Sequence, residues 1–361
     1  MKWTESVLAS TDSEAVIILG MGPQALYMLR TLNQTGKRVF LIGPKSYYGY
    51  LSRYGKKLVC EDDESMNRQL NNLLDEYGDD TPIMISGGSS LNFALSHLDD
   101  AKLNIYPKPF SNLKTLNQKL QITNWLFKHP ILNEFGITNY LWNQMPKQVS
   151  FPVLAKWNSS TVNLFKTKVL TDSKDWEEFS LKYVDYAEEL VFQPYIENKR
   201  LYHLGGWFQN GQLNEHILVE EVRQNPVGMV SYLKNYEERY SEAIRNFIDE
   251  VMRHFQVTGF VQFEFIEDVT SRKLYFLECN ARPWGSMDAL NFRSRRASGA
   301  ALNLLKDLSN RKSSAGITER IMSCLFSDIL HFRWSDPLPL LAPLFNQLRT
   351  NDKKSENSIT S

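Results

Sequence analysis

The 361-residue sequence contains little cysteine and no excess charge of either sign. Its three cysteines, Cys60, Cys279 and Cys324, are an odd number without CxxC spacing. This usage argues against a disulfide framework or a zinc ribbon and is typical of a reducing compartment. The 41 basic and 41 acidic residues balance, so the net charge does not indicate a nucleic-acid partner.

Long apolar stretches are also missing. No run of about 18 apolar residues occurs, so we predict no membrane span. The first residues include Glu5 and Ser6, where a signal peptide would need an unbroken apolar stretch. We therefore predict a cytoplasmic protein. Its length and its 42% hydrophobic and 23% charged residues suit a globular protein of about two or three packed lobes.

Residues 1–110 show the pattern of an open parallel α/β domain. A buried strand, AVIIL, is followed by a tight turn, a helical stretch and a second strand, RVFLIGP, and the helix-then-strand pattern continues to about residue 87. The turn Gly20-Met21-Gly22 partly matches a dinucleotide fingerprint, but the second strand ends in Gly43-Pro44 without an acidic residue for a ribose. A simple strand-to-helix turn is therefore favoured over an NAD site.

The rest of the chain has the composition of a smaller and a larger α+β lobe. Strands are predicted at residues 151–156 and 164–170, and Asn210-Gly211 is a strong hairpin signal. The apolar, proline-punctuated segment near the end could face a membrane or a partner, but packing on the body is the more common fate. The predicted divisions are linker helices with a small lobe (111–190), a large lobe (191–312), a packed extension (313–349) and a disordered tail (350–361).

Two carboxylates are predicted to meet on a hairpin formed by FVQFEFI and KLYFLECN. Because side chains alternate along a strand, Phe276, Glu278 and Asn280 are expected on one face, with Glu264 opposite Glu278. Facing carboxylates repel unless water or a cation separates them. Two carboxylates and the amide oxygen of Asn280 suit magnesium or manganese, and Arg282 follows two residues later. An exposed acidic face without a metal explains the spacing equally well.

A resemblance to a known family favours the metal site. Glu278-Cys279-Asn280-Ala281-Arg282-Pro283-Trp284-Gly285 is similar to the E-x-N-x-R-x-x-G motif that ends the metal-binding strand pair of the ATP-grasp superfamily. Ser52-Arg53-Tyr54 resembles the SRY of uncharacterised bacterial ATP-grasp carboxylate-amine ligases. The resemblance spans roughly residues 15 to 310 and implies a Rossmann-like N-terminal (pre-ATP-grasp) domain followed by a two-lobed ATP-grasp fold.

The resemblance also implies roles for individual residues. ATP and magnesium, or manganese, are the expected cofactors, and the metal ligands would be Glu264, Glu278 and Asn280. The nucleotide would contact Lys119 and Lys156 through its phosphates, Gln193, Tyr195 and Ile196 through adenine, and Glu197 near the ribose. Arg282 and Arg223 would stabilise the charge that develops during transfer, although a strand arginine such as Arg223 could equally form an ion pair with Glu220 or Glu221.

The implied activity is that of an ADP-forming carbon–nitrogen ligase. A small-molecule carboxylate would be activated as an acyl phosphate and joined to an amine in an amide or peptide-like bond, with release of ADP and phosphate. The resemblance is compatible with a homodimer and gives no role to nucleic acid.

One departure from the family pattern keeps two other functions open. Many ATP-grasp proteins have a glycine-rich phosphate loop, whereas WNSSTVNLFKTKVL contains no glycine, and Ser159, Ser160, Lys166 or Lys168 would have to replace it. A degenerate nucleotide-binding or regulatory protein is therefore one alternative, and an NAD-dependent oxidoreductase is a less favoured one. The six histidines show no paired ligand spacing, so we expect structural or surface roles for them.

Overall fold

A computed structural model of the chain describes residues 2–145, 149–158, 164–165, 167–224, 230–235, 239–284 and 287. The side chains of residues 2, 47, 222–224 and 230–235 are outside this description. The chain divides into two compact units, and the second unit spans Pro107–Arg282. Each unit is considered by itself.

The first unit contains a parallel five-stranded sheet with the strand order β3-β2-β1-β4-β5. All five residues of the first strand are buried, as expected for a parallel strand covered on both faces. Its elements in chain order are α1 (Lys2–Leu8), β1 (Ala15–Leu19), α2 (Pro23–Leu32), β2 (Arg38–Gly43), α3 (Tyr47–Tyr50), β3 (Lys56–Val59), α4 (Asp63–Tyr77), β4 (Ile83–Ile85), α5 (Gly88–His97) and β5 (Ile105–Tyr106).

The turn after β1 requires glycine at position 20. Gly20 has a φ of +100°, and a Cβ atom there would lie 2.3 Å from the Oγ atom of Ser86. Pro23 then occupies the first turn of α2, where a missing N–H costs nothing. Tight packing and helix initiation therefore account for this glycine-rich turn without a bound dinucleotide.

The second unit begins with helices and a four-stranded sheet of order β6-β9-β7-β8. Helix α8 covers one face of this sheet through a cluster that includes Ala155, Phe179 and Phe192. Lys156 follows Ala155 along the strand and therefore lies on the opposite face. The elements are α6 (Phe110–Leu116), α7 (Lys119–Lys128), β6 (Tyr140–Leu141), β7 (Val153–Trp157), β8 (Thr167–Leu170), α8 (Ser173–Tyr183) and β9 (Leu190–Pro194).

The second unit also contains an antiparallel five-stranded sheet of order β12-β11-β10-β13-β14. Helix α9 packs its buried stripe against one face of this sheet, where Phe247 contacts Phe265 and Phe276 at ring-centroid distances of 5.2 Å. The opposite face is left for polar side chains. The elements are β10 (Lys199–Gln209), β11 (Gln212–Gln224), β12 (Val230–Asn235), α9 (Ser241–Phe255), β13 (Gly259–Asp268) and β14 (Lys273–Asn280).

The predicted Asn210-Gly211 hairpin connects β10 to β11. Both residues have positive φ, +49° at Asn210 and +76° at Gly211, which suits a two-residue turn between twisted strands. A Cβ atom at Gly211 would lie 2.3 Å from the backbone oxygen of Met252, so only glycine fits. This contact joins the hairpin to helix α9.

Some sequence expectations lie outside the described residues or differ from the structure. The extension at 313–349, the tail at 350–361, and Ser159, Ser160 and Lys166 are all outside the described residues. Strand β12 was not predicted. Within the described ranges, no helix is both long and apolar enough to cross a bilayer.

Candidate active site

Two carboxylates face each other on the sheet surface that α9 does not cover. Glu264 in β13 pairs with Glu278 in β14, as the alternation of side chains predicted. A β-bulge makes this pairing, because β14 contains one extra residue, Leu277, between the pairs Phe265–Phe276 and Glu264–Glu278. The carboxylate pair is therefore built into the backbone of the hairpin.

The bulge corrects one expectation from the sequence. Phe276 was expected on the same face as Glu278, but it lies opposite Phe265 and contacts Phe247 and Phe263. It therefore lies on the helix-covered face, because the extra residue reverses the alternation between positions 276 and 278. An apolar ring and a carboxylate are thereby separated onto opposite sides of one strand.

Asn280 brings the two carboxylates to one point. Its Nδ2 atom donates to Glu278 Oε1 at 3.1 Å and to Glu264 Oε1 at 3.2 Å. Its Oδ1 atom accepts a hydrogen bond from Arg282 Nη2 at 2.9 Å. One carboxylate oxygen from each glutamate therefore converges on the same small volume, with a guanidinium behind the amide.

Two lysines bring positive charge to this volume. Lys119, the first residue of α7, places its Nζ atom 2.9 Å from Glu278 Oε2. Lys156 in β7 is 6% exposed, and its charge interacts with those of Lys119, Glu278 and Glu264. The helix and the strand thus contribute cations from outside the sheet that carries the carboxylates.

Burial and these neighbouring charges shift the protonation equilibria. Burial raises the pKa of Glu264, and Glu278 raises it further. Burial also acts to raise the pKa of Glu278, but Lys119 and Lys156 outweigh it and lower that pKa to about 2. Burial, followed by Lys119, lowers the pKa of Lys156 to about 7. Burial lowers the pKa of Arg282. The site holds a firmly ionised Glu278 beside a Glu264 whose charge is costly.

A histidine and a third glutamate extend the polar face. His203 in β10 lies opposite Glu264 and places Nδ1 3.8 Å from Glu264 Oε1. Its Nε2 atom lies 2.9 Å from Glu221 Oε2 in β11. Burial acts to lower the pKa of His203, but the hydrogen bond to Glu221 and the charge of Glu264 outweigh it and raise that pKa. His203, for which the sequence indicated a structural or surface role, thus lies beside the carboxylates.

Comparison with solved structures identifies the fold. The chain resembles an ADP complex of N5-carboxyaminoimidazole synthetase from Staphylococcus aureus, with a TM-score of 0.57, 16% identity and coverage of 78% of this chain and 74% of the other. An L-amino acid ligase from Bacillus licheniformis gives a TM-score of 0.57 at 15% identity, covering 75% and 68%. These proteins are ATP-grasp proteins.

The chain has the ATP-grasp fold.

The remaining comparisons limit what the fold can imply. A pyruvate carboxylase from Rhizobium etli matches with a TM-score of 0.60 and 12% identity over 78% of this chain, which spans 27% of that longer protein. No protein-family model and no curated protein matches the sequence. Identities of this size show the ATP-grasp fold and do not show which reaction the chain catalyses. The reaction has to be argued from the residues of the site.

The residues present fit a divalent cation. The oxygens of Glu264 and Glu278 that converge on Asn280 Nδ2 are hard ligands of the type magnesium binds, and rotation of the amide would present Asn280 Oδ1 instead. Among the described residues, no group of three or more histidine, cysteine, aspartate or glutamate side chains is arranged for a metal. A set of two carboxylates and one amide suits an ion that completes its coordination with phosphate oxygens and water.

The predicted adenine-binding segment follows the end of β9. Gln193 is 3% exposed, and within the described part of the chain its buried Oε1 atom has no hydrogen-bond partner. The N–H of Tyr195 donates to the carbonyl of Pro152 at 3.1 Å and is therefore already used within the protein. An adenine bound at this segment would consequently have to use Gln193 Oε1 and the backbone of Ile196, with Glu197 exposed beyond it.

Other predicted residues lie outside this cluster or outside the description. Arg223 pairs with Tyr232 in the β11–β12 ladder, but its side chain is not described. Lys168 is exposed and lies opposite Ala155, so it is on the other face of the small sheet from Lys156. Lys168 is therefore poorly placed to do the work of a glycine-rich phosphate loop.

Two asparagines that the sequence did not single out connect the elements around the carboxylate pair. Asn158, just after β7, accepts hydrogen bonds from the N–H groups of Lys119 and Leu120 and so caps α7. Asn117 accepts from the N–H of Ala281 at 3.0 Å, immediately after β14. Leu120 precedes Asn158 by 38 residues, so no local sequence pattern indicates this cap.

Proposed function

We propose that this protein is an ATP-dependent carboxylate–amine ligase that activates its acid substrate as an acyl phosphate. The observation that carries the proposal is the convergence of Glu264 and Glu278 on one point, with Lys119 and Lys156 supplying positive charge beside it. An oxygen-lined cation site next to buried lysines suits the phosphates of a nucleotide. The ATP-grasp fold gives the same expectation.

The two lysines would bind the nucleotide phosphates. Lys119 forms an ion pair with Glu278 and would transfer this contact to a phosphate oxygen when a metal neutralises the carboxylate. Lys156, held on a strand and largely buried, would stay charged once a phosphate lies beside it, because an anion raises the pKa of an ammonium group. Gln193 and the backbone of Ile196 would bind adenine.

The carboxylates and the amide would hold the metal. Glu264, Glu278 and Asn280 are the proposed ligands of magnesium, for which manganese could substitute. When bound, the ion supplies charge neutralisation to the phosphate chain. Arg282, whose Nη2 atom lies 2.9 Å from Asn280 Oδ1 in this structure, would place a guanidinium near the transferred group. Arg223 is proposed to stabilise the same charge from β11.

Two steps would complete the reaction. A carboxylate oxygen of the substrate attacks the γ-phosphorus, the bond to the β-phosphate oxygen breaks, and ADP leaves. The amine nitrogen then attacks the acyl carbon, inorganic phosphate departs with the C–O bond pair, and the nitrogen loses a proton. We place the reaction in the cytoplasm because the cysteine content suits a reducing compartment.

A screen of carboxylates crossed with amines tests this function. We expect phosphate release from ATP that requires both partners, with an amide product detected by mass. Glu278→Gln should abolish this release, since it removes the ionised ligand, and Glu178→Gln is a matched control because Glu178 is 71% exposed on α8. Turnover of Glu278→Gln at the wild-type rate would refute the proposal, and ATP binding without any product would favour a regulatory nucleotide-binding protein.

A further inference from the structure

His203 lies between two glutamates on the polar face of the large sheet. Its side chain is 8% exposed, with Nε2 2.9 Å from Glu221 Oε2 and Nδ1 3.8 Å from Glu264 Oε1. Gln262 Nε2 also approaches Nδ1 at 3.4 Å. The imidazole is therefore fixed on both sides, and one of its two neighbours is a proposed metal ligand.

The strand register makes this contact unavoidable. His203 is directly opposite Glu264 in the β10–β13 ladder. On the other side of β10, Glu221 in β11 pairs with Leu201, two residues before His203, and therefore lies diagonal to His203 on the same face. Side chains opposite each other on one face are close enough to contact. Glu264 Oε1 thus lies 3.2 Å from Asn280 Nδ2 and 3.8 Å from His203 Nδ1, and these two contacts restrict the rotamers of the carboxylate.

A purely structural ion pair would leave one feature unexplained. Glu221 is 4% exposed, and its Oε1 atom is buried without a hydrogen-bond partner among the described residues. Buried ion pairs contribute little net stability, and an unpartnered buried oxygen is a cost. Such a costly arrangement next to a binding site is typical of groups that orient a metal ligand.

We propose that His203, held in place by Glu221, is a positioning residue that fixes the Glu264 carboxylate for metal binding. The inference rests on the proposed function, since it takes Glu264 to be a metal ligand. His203 touches neither nucleotide nor metal in this scheme. It acts through Glu264 by limiting the orientations of the carboxylate before the ion arrives, and Glu221 limits the orientations of the imidazole in the same way.

Paired substitutions at position 203 separate positioning from packing. Asparagine can place a side-chain amide near the position of Nδ1, whereas glutamine reaches the position of Nε2. The probe is Mn²⁺, whose binding in the presence of ADP is measured by electron paramagnetic resonance. We expect His203→Gln to weaken Mn²⁺ binding by about 100-fold, and His203→Asn, which keeps an amide near Nδ1 but loses the contact with Glu221, to weaken it by about tenfold. Binding of ADP without metal should be unchanged in both variants.

Glu221 provides a second pair of variants and His129 a control. Glu221→Leu removes the acceptor for Nε2 and should weaken Mn²⁺ binding by about tenfold. Glu221→Gln keeps an acceptor oxygen, so its affinity for Mn²⁺ should stay close to that of wild type. If His203→Gln does not fold, the Glu221 pair decides the question. His129→Gln is the matched control, because His129 Nε2 forms a similar contact with Glu250 at 3.5 Å. It should leave Mn²⁺ binding unchanged.

The outcomes distinguish this inference from the proposed function. If Glu278→Gln binds Mn²⁺ as tightly as wild type, the metal site itself is wrong. If Glu278→Gln loses Mn²⁺ while His203→Gln and Glu221→Leu stay within about threefold of wild type, the metal site stands and the positioning role is refuted. If His203→Asn and His203→Gln lose Mn²⁺ equally, packing rather than the contact with Glu264 is responsible, and the positioning role is likewise overturned.

Discussion

Replacing Glu264 with glutamine should stabilise the protein in the absence of nucleotide. The Oε1 atoms of Glu264 and Glu278 lie 3.2 and 3.1 Å from the same nitrogen, that of Asn280. The two oxygens are therefore at most about 6 Å apart, and two such charges repel by roughly 3 kcal/mol at an effective dielectric constant of about 20. Lys119 and His203 offset much of this repulsion, so a net gain of about 1 kcal/mol is expected from the neutral side chain.

Thermal and urea unfolding of the nucleotide-free protein measure this gain. An increase of about 1 kcal/mol corresponds to a rise in Tm of roughly 2–4 °C. Glu178→Gln serves as the control, because its partner Lys174 lies 4.0 Å away and both side chains are largely exposed. Exposed pairs of this kind contribute little, so the control should not change Tm measurably.

The same substitution should remove the stabilisation by magnesium and ATP. At a nucleotide concentration of about 100 times Kd, wild-type protein should gain about 2.7 kcal/mol. Glu264→Gln loses a charged ligand and should gain little at that concentration. A variant that is less stable than wild type without nucleotide, or one that is stabilised by magnesium and ATP to the same extent as wild type, would refute the reasoning.

Three other perturbations test separate parts of the structure. Folding lowers the pKa of Lys156 from 10.5 to about 7, so its charge destabilises the fold below pH 7 and this cost disappears as the pH rises to 10.5. Lys156→Met should therefore exceed wild type in unfolding free energy most at pH 6 and least near pH 10, and a pH-independent difference would contradict this. Gly211→Ala should lower the free energy of unfolding by about 3 kcal/mol, because its Cβ atom would overlap a backbone oxygen. Gly36→Ala, at a φ of +78° with open space around it, should lower it by about 1 kcal/mol. Equal losses in urea unfolding would show that the positive φ, and not the overlap, sets the cost. Burial raises the pKa of the Cys60 and Cys279 thiols, which lowers their reactivity. In a Cys324→Ser background, both thiols should therefore react with a disulfide reagent at pH 8 only after unfolding.

Local periodicity was sufficient to predict the parallel sheet and several hairpin features. The apolar run at Ala15–Leu19 and the turn at Asn210-Gly211 both signal their structures within a few residues. These features depend on short-range geometry, which the sequence encodes directly.

Features that depend on contacts between distant segments could not be predicted in the same way. The bulge at Leu277 leaves no distinctive residue in the sequence, because leucine suits a regular strand equally well, and so the face of Phe276 was predicted wrongly. His203 approaches Glu264 only through the pairing of β10 with β13, which are separated by two strands and a helix. Long-range register of this kind is fixed by the folded sheet and not by local pattern.

The ion pair between Lys119 and Glu278 implies thermodynamic coupling between metal and nucleotide. In the nucleotide-free protein each group satisfies the other at 2.9 Å, so a metal arriving alone would leave an ammonium group without its anion. A nucleotide arriving alone would draw the lysine away and leave a carboxylate without its cation. Arrival of both allows an exchange of partners in which no charge is left uncompensated. Each should therefore raise the affinity of the other, and by the same factor.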